Sequence, residues 1–203
     1  METPMQACGV ILAGGRSTRM GRNKALLELE GEPLISRLAR RFSCWFAQVV
    51  VVTNTPADFA FLGLQTVSDR IPGLGPLGGL EAGLQASRFE YAFFCAVDMP
   101  FVDESLVRYM VGEAPGHDIV VPRVAGEFEP MHAVYGKGCL PVITRNLDAR
   151  RLRPIAIFTD LRVRVIDDAE LRRFGDPERL FFNCNTPDDW EQARRRVRQE
   201  GDS

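Results

Sequence analysis

Gly9-Val-Ile-Leu-Ala-Gly-Gly-Arg-Ser-Thr-Arg-Met-Gly-Arg-Asn-Lys24 carries an apolar, strand-like start into a loop of glycines and cations that leads toward a helical segment. Gly14 and Gly15 permit positive φ and let backbone come close to a ligand, while Arg16, Arg19, Arg22 and Lys24 supply the charge that phosphoryl oxygens need. No Gly-Lys-Ser/Thr closes the loop as in a Walker A element, and no Gly-x-Gly-x-x-Gly falls within it to make a dinucleotide-binding turn. Of the 25 lysines and arginines only Lys24 and Lys137 are lysine, and one of the two sits here. A compact ammonium meets phosphate as a point charge, whereas arginine favours planar, bidentate contacts.

Outward from this loop, strand-like runs at 9–13, 48–53, 64–68, 91–97 and 118–121 alternate with helical stretches at 33–42 and 77–87. That alternation predicts an α/β fold in three layers, a mostly parallel Rossmann-like sheet covered on both faces. The unbroken apolar runs Val49-Val-Val-Val52 and Phe93-Phe-Cys-Ala-Val97 read as central strands. Ligands of open sheets bind beyond the carboxyl ends of the strands, so polar residues that follow strands are the candidates. At 203 residues and 45% hydrophobic content, the chain is expected to form one domain over 1–203 with a sizeable core.

A net charge of -2 argues against a general nucleic-acid binder, which needs a basic face. The five cysteines, Cys8, Cys44, Cys95, Cys139 and Cys184, are scattered without Cys-x-x-Cys spacing and read as reduced core residues of a cytoplasmic protein. No apolar run approaches the length of a bilayer span, and no signal peptide precedes Cys8, so no membrane association is expected. No cluster of His and Cys suggests zinc.

The polar residues after each strand carry the chemistry. Asn54 offers an amide that can both donate to and accept from a base edge. Asp69 opens a glycine- and proline-rich loop that ends in Gly75-Pro-Leu-Gly78-Gly79 and leads into a helix. Asp98, in Asp98-Met-Pro100, is a carboxylate placed to hold Mg²⁺ against phosphate oxygens, because Asp103 already reads as the cap of the next helix. In Phe181-Phe-Asn183-Cys-Asn185-Thr-Pro-Asp-Asp189, a strand-like start precedes a helix capped by Thr186 with Pro187 in its first turn. The arginines from Arg194 to Arg198 read as the solvated face of that terminal helix.

Five of these segments, in order, resemble molybdenum cofactor guanylyltransferases. The 12–24 loop is similar to their Leu-Ala-Gly-Gly-x-x-x-Arg-Met-Gly-x-x-Lys signature, and Ala13-Gly14-Gly15 leans away from the cytidylyl and sugar-phosphate branches, which read Ala-Ala-Gly or Leu-Ala-Ala-Gly-x-Gly. Gly75 to Gly79 resembles a Gly-Pro-Leu-x-Gly element whose preceding aspartate, here Asp69, helps bind nucleotide. Asp98-Met-Pro100 is similar to Cys-Asp-x-Pro or Gly-Asp-x-Pro, with Val97 in the first place. Glu129-Pro-Met-His-Ala-Val-Tyr135 resembles Pro-Leu-x-Ala-x-Tyr, with Met131 in the leucine place, a segment expected to line the acceptor side, and Asn183-x-Asn185-Thr-Pro resembles the family's Asn-x-Asn-Thr-Pro.

The resemblance implies transfer of GMP from Mg²⁺-bound GTP to the terminal phosphate of molybdopterin, with release of pyrophosphate. Arg19, Lys24 and Asp98 are the implied catalytic set. Leu12, Ala13, Gly14, Gly15, Lys24, Asn54, Asp69 and Asp98 would bind nucleotide. Gly78, Gly79, His132, Asn183 and Asn185 would lie on the acceptor side, and a molybdoenzyme or its chaperone is the expected partner of the basic terminal helix. The other readings are a cytidylyl or sugar-phosphate nucleotidyltransferase, a GTP-binding module without catalysis, and a dinucleotide oxidoreductase, which the phosphate loop speaks against.

Overall fold

A computed structural model of the chain describes residues 3–14, 24–71 and 73–201. Its main strands are β1 (Met5–Leu12), β2 (Phe46–Val52), β3 (Gln65–Val67), β4 (Tyr91–Ala96), β5 (Ile119–Val124), β6 (His132–Gly136) and β7 (Val163–Ile166). They lie in the order β7-β5-β6-β4-β1-β2-β3. Neighbours pair in parallel except at β6, which runs antiparallel to both β4 and β5. This is the mixed, mostly parallel α/β sheet that the alternation predicts.

The helices α1 (Leu34–Trp45), α2 (Gly75–Ala86), α3 (Glu104–Gly112), α4 (Leu140–Asp148) and α5 (Pro187–Gly201) close the layers. Strand alternation sorts the core into two. Ile11, Val51, Phe93 and Val134 face a cluster with Leu38 and Phe42 of α1 and Met110 of α3, whereas Val10, Val50, Phe94 and Tyr135 face Leu80 of α2 and Ile143 of α4. α1 earns its place by burying Leu34, Ile35, Leu38, Ala39, Phe42 and Trp45 along one stripe. α2 comes closer to the sheet than a side chain allows: a Cβ on Gly83 would stand 2.6 Å from Phe94 Cε1 and 2.8 Å from Val10 Cγ1.

Caps fall where the sequence puts them. Asp103 accepts from the Leu106 amide at 2.9 Å and starts α3. Thr186 and Asp189 form a reciprocal capping box on α5, with the Asp189 amide donating to Thr186 Oγ1 at 3.1 Å and the Thr186 amide donating to Asp189 Oδ2 at 2.8 Å.

Three expectations need correction. Phe181 and Phe182 do not begin a strand: a helical turn, Pro177–Leu180, precedes them, and their amides donate to the carbonyls of Pro177 and Arg179. Cys44 is exposed, while Cys8, Cys95, Cys139 and Cys184 are buried and burial pushes their thiols well up, to about 12 for Cys8, Cys139 and Cys184. The arginines of α5 are not all solvated, since the Arg196 guanidinium lies 4.6 Å over the Phe182 ring and that of Arg194 5.9 Å from the Trp190 ring centre. No helix among the described residues is long and apolar enough to cross a membrane.

Candidate active site

The parallel strands β1 to β4 end at one edge of the sheet, and because β6 is reversed its start meets the same edge. Taking strands in spatial order, that edge presents Asp69 after β3, Asn54 after β2, Leu12 to Gly14 at the end of β1, Asp98 after β4, and Glu129 to Met131 before β6. Four inter-strand spacings separate the first from the last, about 19 Å at ~4.8 Å each. A cleft of about 1180 Å³ opens along this edge and is lined by Leu12, Gly14, Lys24, Asn54, Asp69, Gly79, Asp98, Glu129, Met131, Asn183 and Asn185, among others. Its size exceeds the roughly 300–1,000 Å³ of a pocket for one ligand, as two substrates held together require.

Backbone bonds fix the middle of the edge. The Ala13 amide donates to the Val52 carbonyl at 2.9 Å, the Val97 amide to that of Leu12 at 3.1 Å, and the Ala96 amide to that of Met131 at 2.9 Å. The phosphate-loop candidates Gly15, Arg16, Arg19 and Arg22 lie outside the described residues. Where the chain is described again, Lys24 Nζ donates to Asn185 Oδ1 at 2.8 Å and stands 3.5 Å from Asp98 Oδ2. Lys24 and Asp98 are 19% and 21% exposed, so the charges sit at the cleft surface, ready to meet a ligand without the full cost of burial. Asn185 is held in turn, because Asp189 Oδ2 accepts from its amide at 3.0 Å. The Cys184 amide donates to the Asp98 carbonyl at 2.9 Å, tying the 183–185 segment to the turn that carries Asp98.

At the far end Asn54 and Asp69 clamp each other. Asn54 Nδ2 donates to Asp69 Oδ2 at 3.0 Å, and the Asp69 amide donates to Asn54 Oδ1 at 3.2 Å. Ser68 Oγ adds a bond to the Thr53 carbonyl at 2.8 Å. The first turn of α2 rests on this pair: a Cβ on Gly78 would come 3.6 Å from Asp69 Cγ, and one on Gly79 3.1 Å from Leu12 Cδ2. Gly78 and Gly79 therefore stand at the Asp69 end of the cleft. The run Gly73-Leu-Gly75-Pro-Leu-Gly78 spells Gly-x-Gly-x-x-Gly, but it follows β3 and its last glycine packs on Asp69, whereas a dinucleotide turn follows the first strand.

His132 is a second correction. It is fully buried on β6, edge-on to Phe93 at 5.0 Å and to Phe181 at 4.9 Å between ring centres, and burial pushes its pKa down to about 3. Among the described residues neither ring nitrogen has a hydrogen-bond partner, and His132 is a core residue that does not line the cleft. Glu129, at the head of the segment expected on the acceptor side, lines the cleft, and burial pushes its carboxyl up to about 7.

The donors at the centre suit magnesium held jointly with a ligand. Among the described residues no group of three or more His, Cys, Asp or Glu gathers to make a protein-only site, and Mg²⁺ ordinarily takes one or two carboxylates with substrate phosphates. Asp98 is such a carboxylate.

A sheet covered by helices on both faces, with a lysine-carboxylate pair in a cleft at its carboxyl edge, has the architecture of a nucleotidyltransferase. The chain belongs to the family of the MobA-like NTP transferase domain, whose model matches residues 9–163. A probable molybdenum cofactor guanylyltransferase of Pelotomaculum thermopropionicum is 42% identical over 190 residues, covering 94% of this chain and 93% of that one. A molybdenum cofactor guanylyltransferase of Desulfosudis oleivorans is 37% identical over 193 residues, covering 94% and 95%. The crystal structure of molybdopterin-guanine dinucleotide biosynthesis protein A from Archaeoglobus fulgidus superposes with a TM-score of 0.83 at 26% identity, over 95% of this chain and 99% of that one.

Proposed function

We propose that this chain transfers GMP from GTP to molybdopterin, joining a terminal phosphate oxygen of the acceptor to the α-phosphorus as the α–β bond breaks and pyrophosphate leaves. The observation that carries the reading is the Lys24 ammonium held by Asp98 and Asn185, on the cleft edge between the Asn54–Asp69 clamp and the Glu129–Met131 wall. The names of the two guanylyltransferase relatives support guanine as the base and molybdopterin as acceptor.

Nucleotidyl transfer asks a protein for alignment and charge neutralisation, with no protein nucleophile. Lys24 neutralises charge building on the α-phosphate and the departing pyrophosphate, and Asn185 keeps the ammonium in place. Asp98 would hold Mg²⁺, which when bound supplies further neutralisation at the phosphate oxygens. The clamped Asn54 and Asp69 orient the nucleoside.

The test is to incubate the protein with Mg²⁺, molybdopterin and each of GTP, CTP and ATP, following pyrophosphate and product mass. GTP-selective formation of the guanine dinucleotide is the expected result. Selective use of CTP, or no dinucleotide with any of the three, overturns the reading.

A further inference from the structure

Glu129 is held by its backbone and left alone by its neighbours. Its amide donates to the Pro122 carbonyl at 3.0 Å, its carbonyl accepts from the His132 amide at 3.0 Å, and the buried Tyr135 hydroxyl donates to the adjacent Pro130 carbonyl at 2.8 Å. Met131 is bonded to Ala96, two residues before Asp98, so this wall is stitched to the strand that carries the central carboxylate. The Glu129 side chain lines the cleft, partly buried, yet among the described residues nothing donates to its carboxylate. A desolvated carboxyl with no donor is costly unless a ligand brings one, and its raised pKa reports that cost.

Two vicinal N–H groups are the natural complement of a carboxylate. In the proposed reaction that donor pair occurs on the 2-amino-4-oxopyrimidine edge, which guanine and pterin share. Position separates them. Asn54 and Asp69 lie on the far side of β1, whereas Glu129 lies on the acceptor side of Asp98. Resting on the transfer reading, we propose that Glu129 is the residue that selects the acceptor, its carboxylate accepting two hydrogen bonds from the 2-amino group and N3–H of the pterin ring.

The substitution Glu129→Gln changes this complementarity with little change of shape. A carboxylate accepts twice and suits pterin. A carboxamide accepts once and donates once, which suits lumazine, where oxygen replaces the 2-amino group. Fluorescence titration with pterin and with lumazine, in the presence of Mg²⁺ and GTP, reads the difference directly. The native protein should prefer pterin by about tenfold or more, and E129Q should lose or reverse that preference while binding GTP as before. The retained GTP affinity also shows that the variant is folded.

An E129Q protein with the native preference for pterin overturns the proposal. So does a fall in GTP affinity with an unchanged pterin-to-lumazine ratio, which would assign the carboxylate to guanine. If the native protein binds GTP but does not distinguish the two pteridines, the inference fails while the transfer reading stands. If it binds neither GTP nor pterin, both fail.

Discussion

Lys24 donates to Asn185 at 2.8 Å across 161 positions of sequence, so the cation that leaves the phosphate loop is held by the segment that opens the last helix. Replacing Lys24 with Ala should lower kcat by about 10²-fold or more, the scale for a lost oxyanion-stabilising group, with no change in thermal midpoint. Asn185→Ala should cost about tenfold in kcat, because it removes one of the groups that position the ammonium without removing the ammonium itself. Steady-state kinetics beside thermal denaturation checks both, and a normal rate for Lys24→Ala would remove it from the machinery.

In the proposed reaction the Asn54–Asp69 clamp would orient the nucleoside equally in ground and transition states. Asn54→Ala should raise KM for GTP by about tenfold and leave kcat close to native, the signature of uniform binding. The check is KM measured for GTP, CTP and ATP, where the margin in favour of GTP should shrink.

Burial holds His132 neutral down to about pH 3. The unfolded chain takes up that proton near the ordinary histidine pKa of ~6.5, so stability is present above that pH and is lost as pH falls toward 3. His132→Leu should therefore unfold at a lower pH than the native protein in an acid titration followed by circular dichroism. Its KM for both substrates at neutral pH should match the native value, since the side chain lies in the core.

Glu129 titrates with the opposite sign. Its folded pKa, about 7, lies above the ordinary carboxyl value of 4.5, so its contribution is fully present below pH 4.5 and is lost as pH rises through 7. The loss is at most about 3 kcal/mol. E129Q, which cannot ionise, should gain stability relative to native at pH 8 and little at pH 4, as read by urea denaturation at each pH.

Gly83 allows α2 to lie against the sheet. A methyl group there would overlap Phe94 and Val10, so Gly83→Ala should destabilise by about 1–3 kcal/mol despite the better helix propensity of alanine. Chemical denaturation decides this, and an equal or higher stability would mean the helix shifts at no cost.

The sheet and its edge were readable because each parallel strand is a short apolar run whose end is marked by a polar or glycine residue: Gly14, Asn54, Asp69 and Asp98. The misplacements share a cause. His132 alternates with Met131 and Ala133, and on a strand covered on both faces the sequence does not say which alternate member meets the ligand and which the core. Phe181 and Phe182 look like a strand because aromatic pairs suit strands, yet they follow a capped helical turn and fill the core from a loop. Glu129 was read only as part of its segment and not as a carboxylate of the cleft, because only the reversal of β6 brings the start of a strand to the edge where the others finish.

That one reversed strand lets the molecule divide its inheritance. The residues proposed to meet phosphate and nucleoside leave the ends of parallel strands and are bound to the layout of the whole sheet. The wall proposed to face the acceptor arrives through the Glu127–Phe128 hairpin, which among the described residues pairs with the neighbouring strand alone, so its tip can change length without re-registering the sheet. A lineage carrying this fold can thus exchange what it attaches the nucleotide to while keeping how it handles the nucleotide.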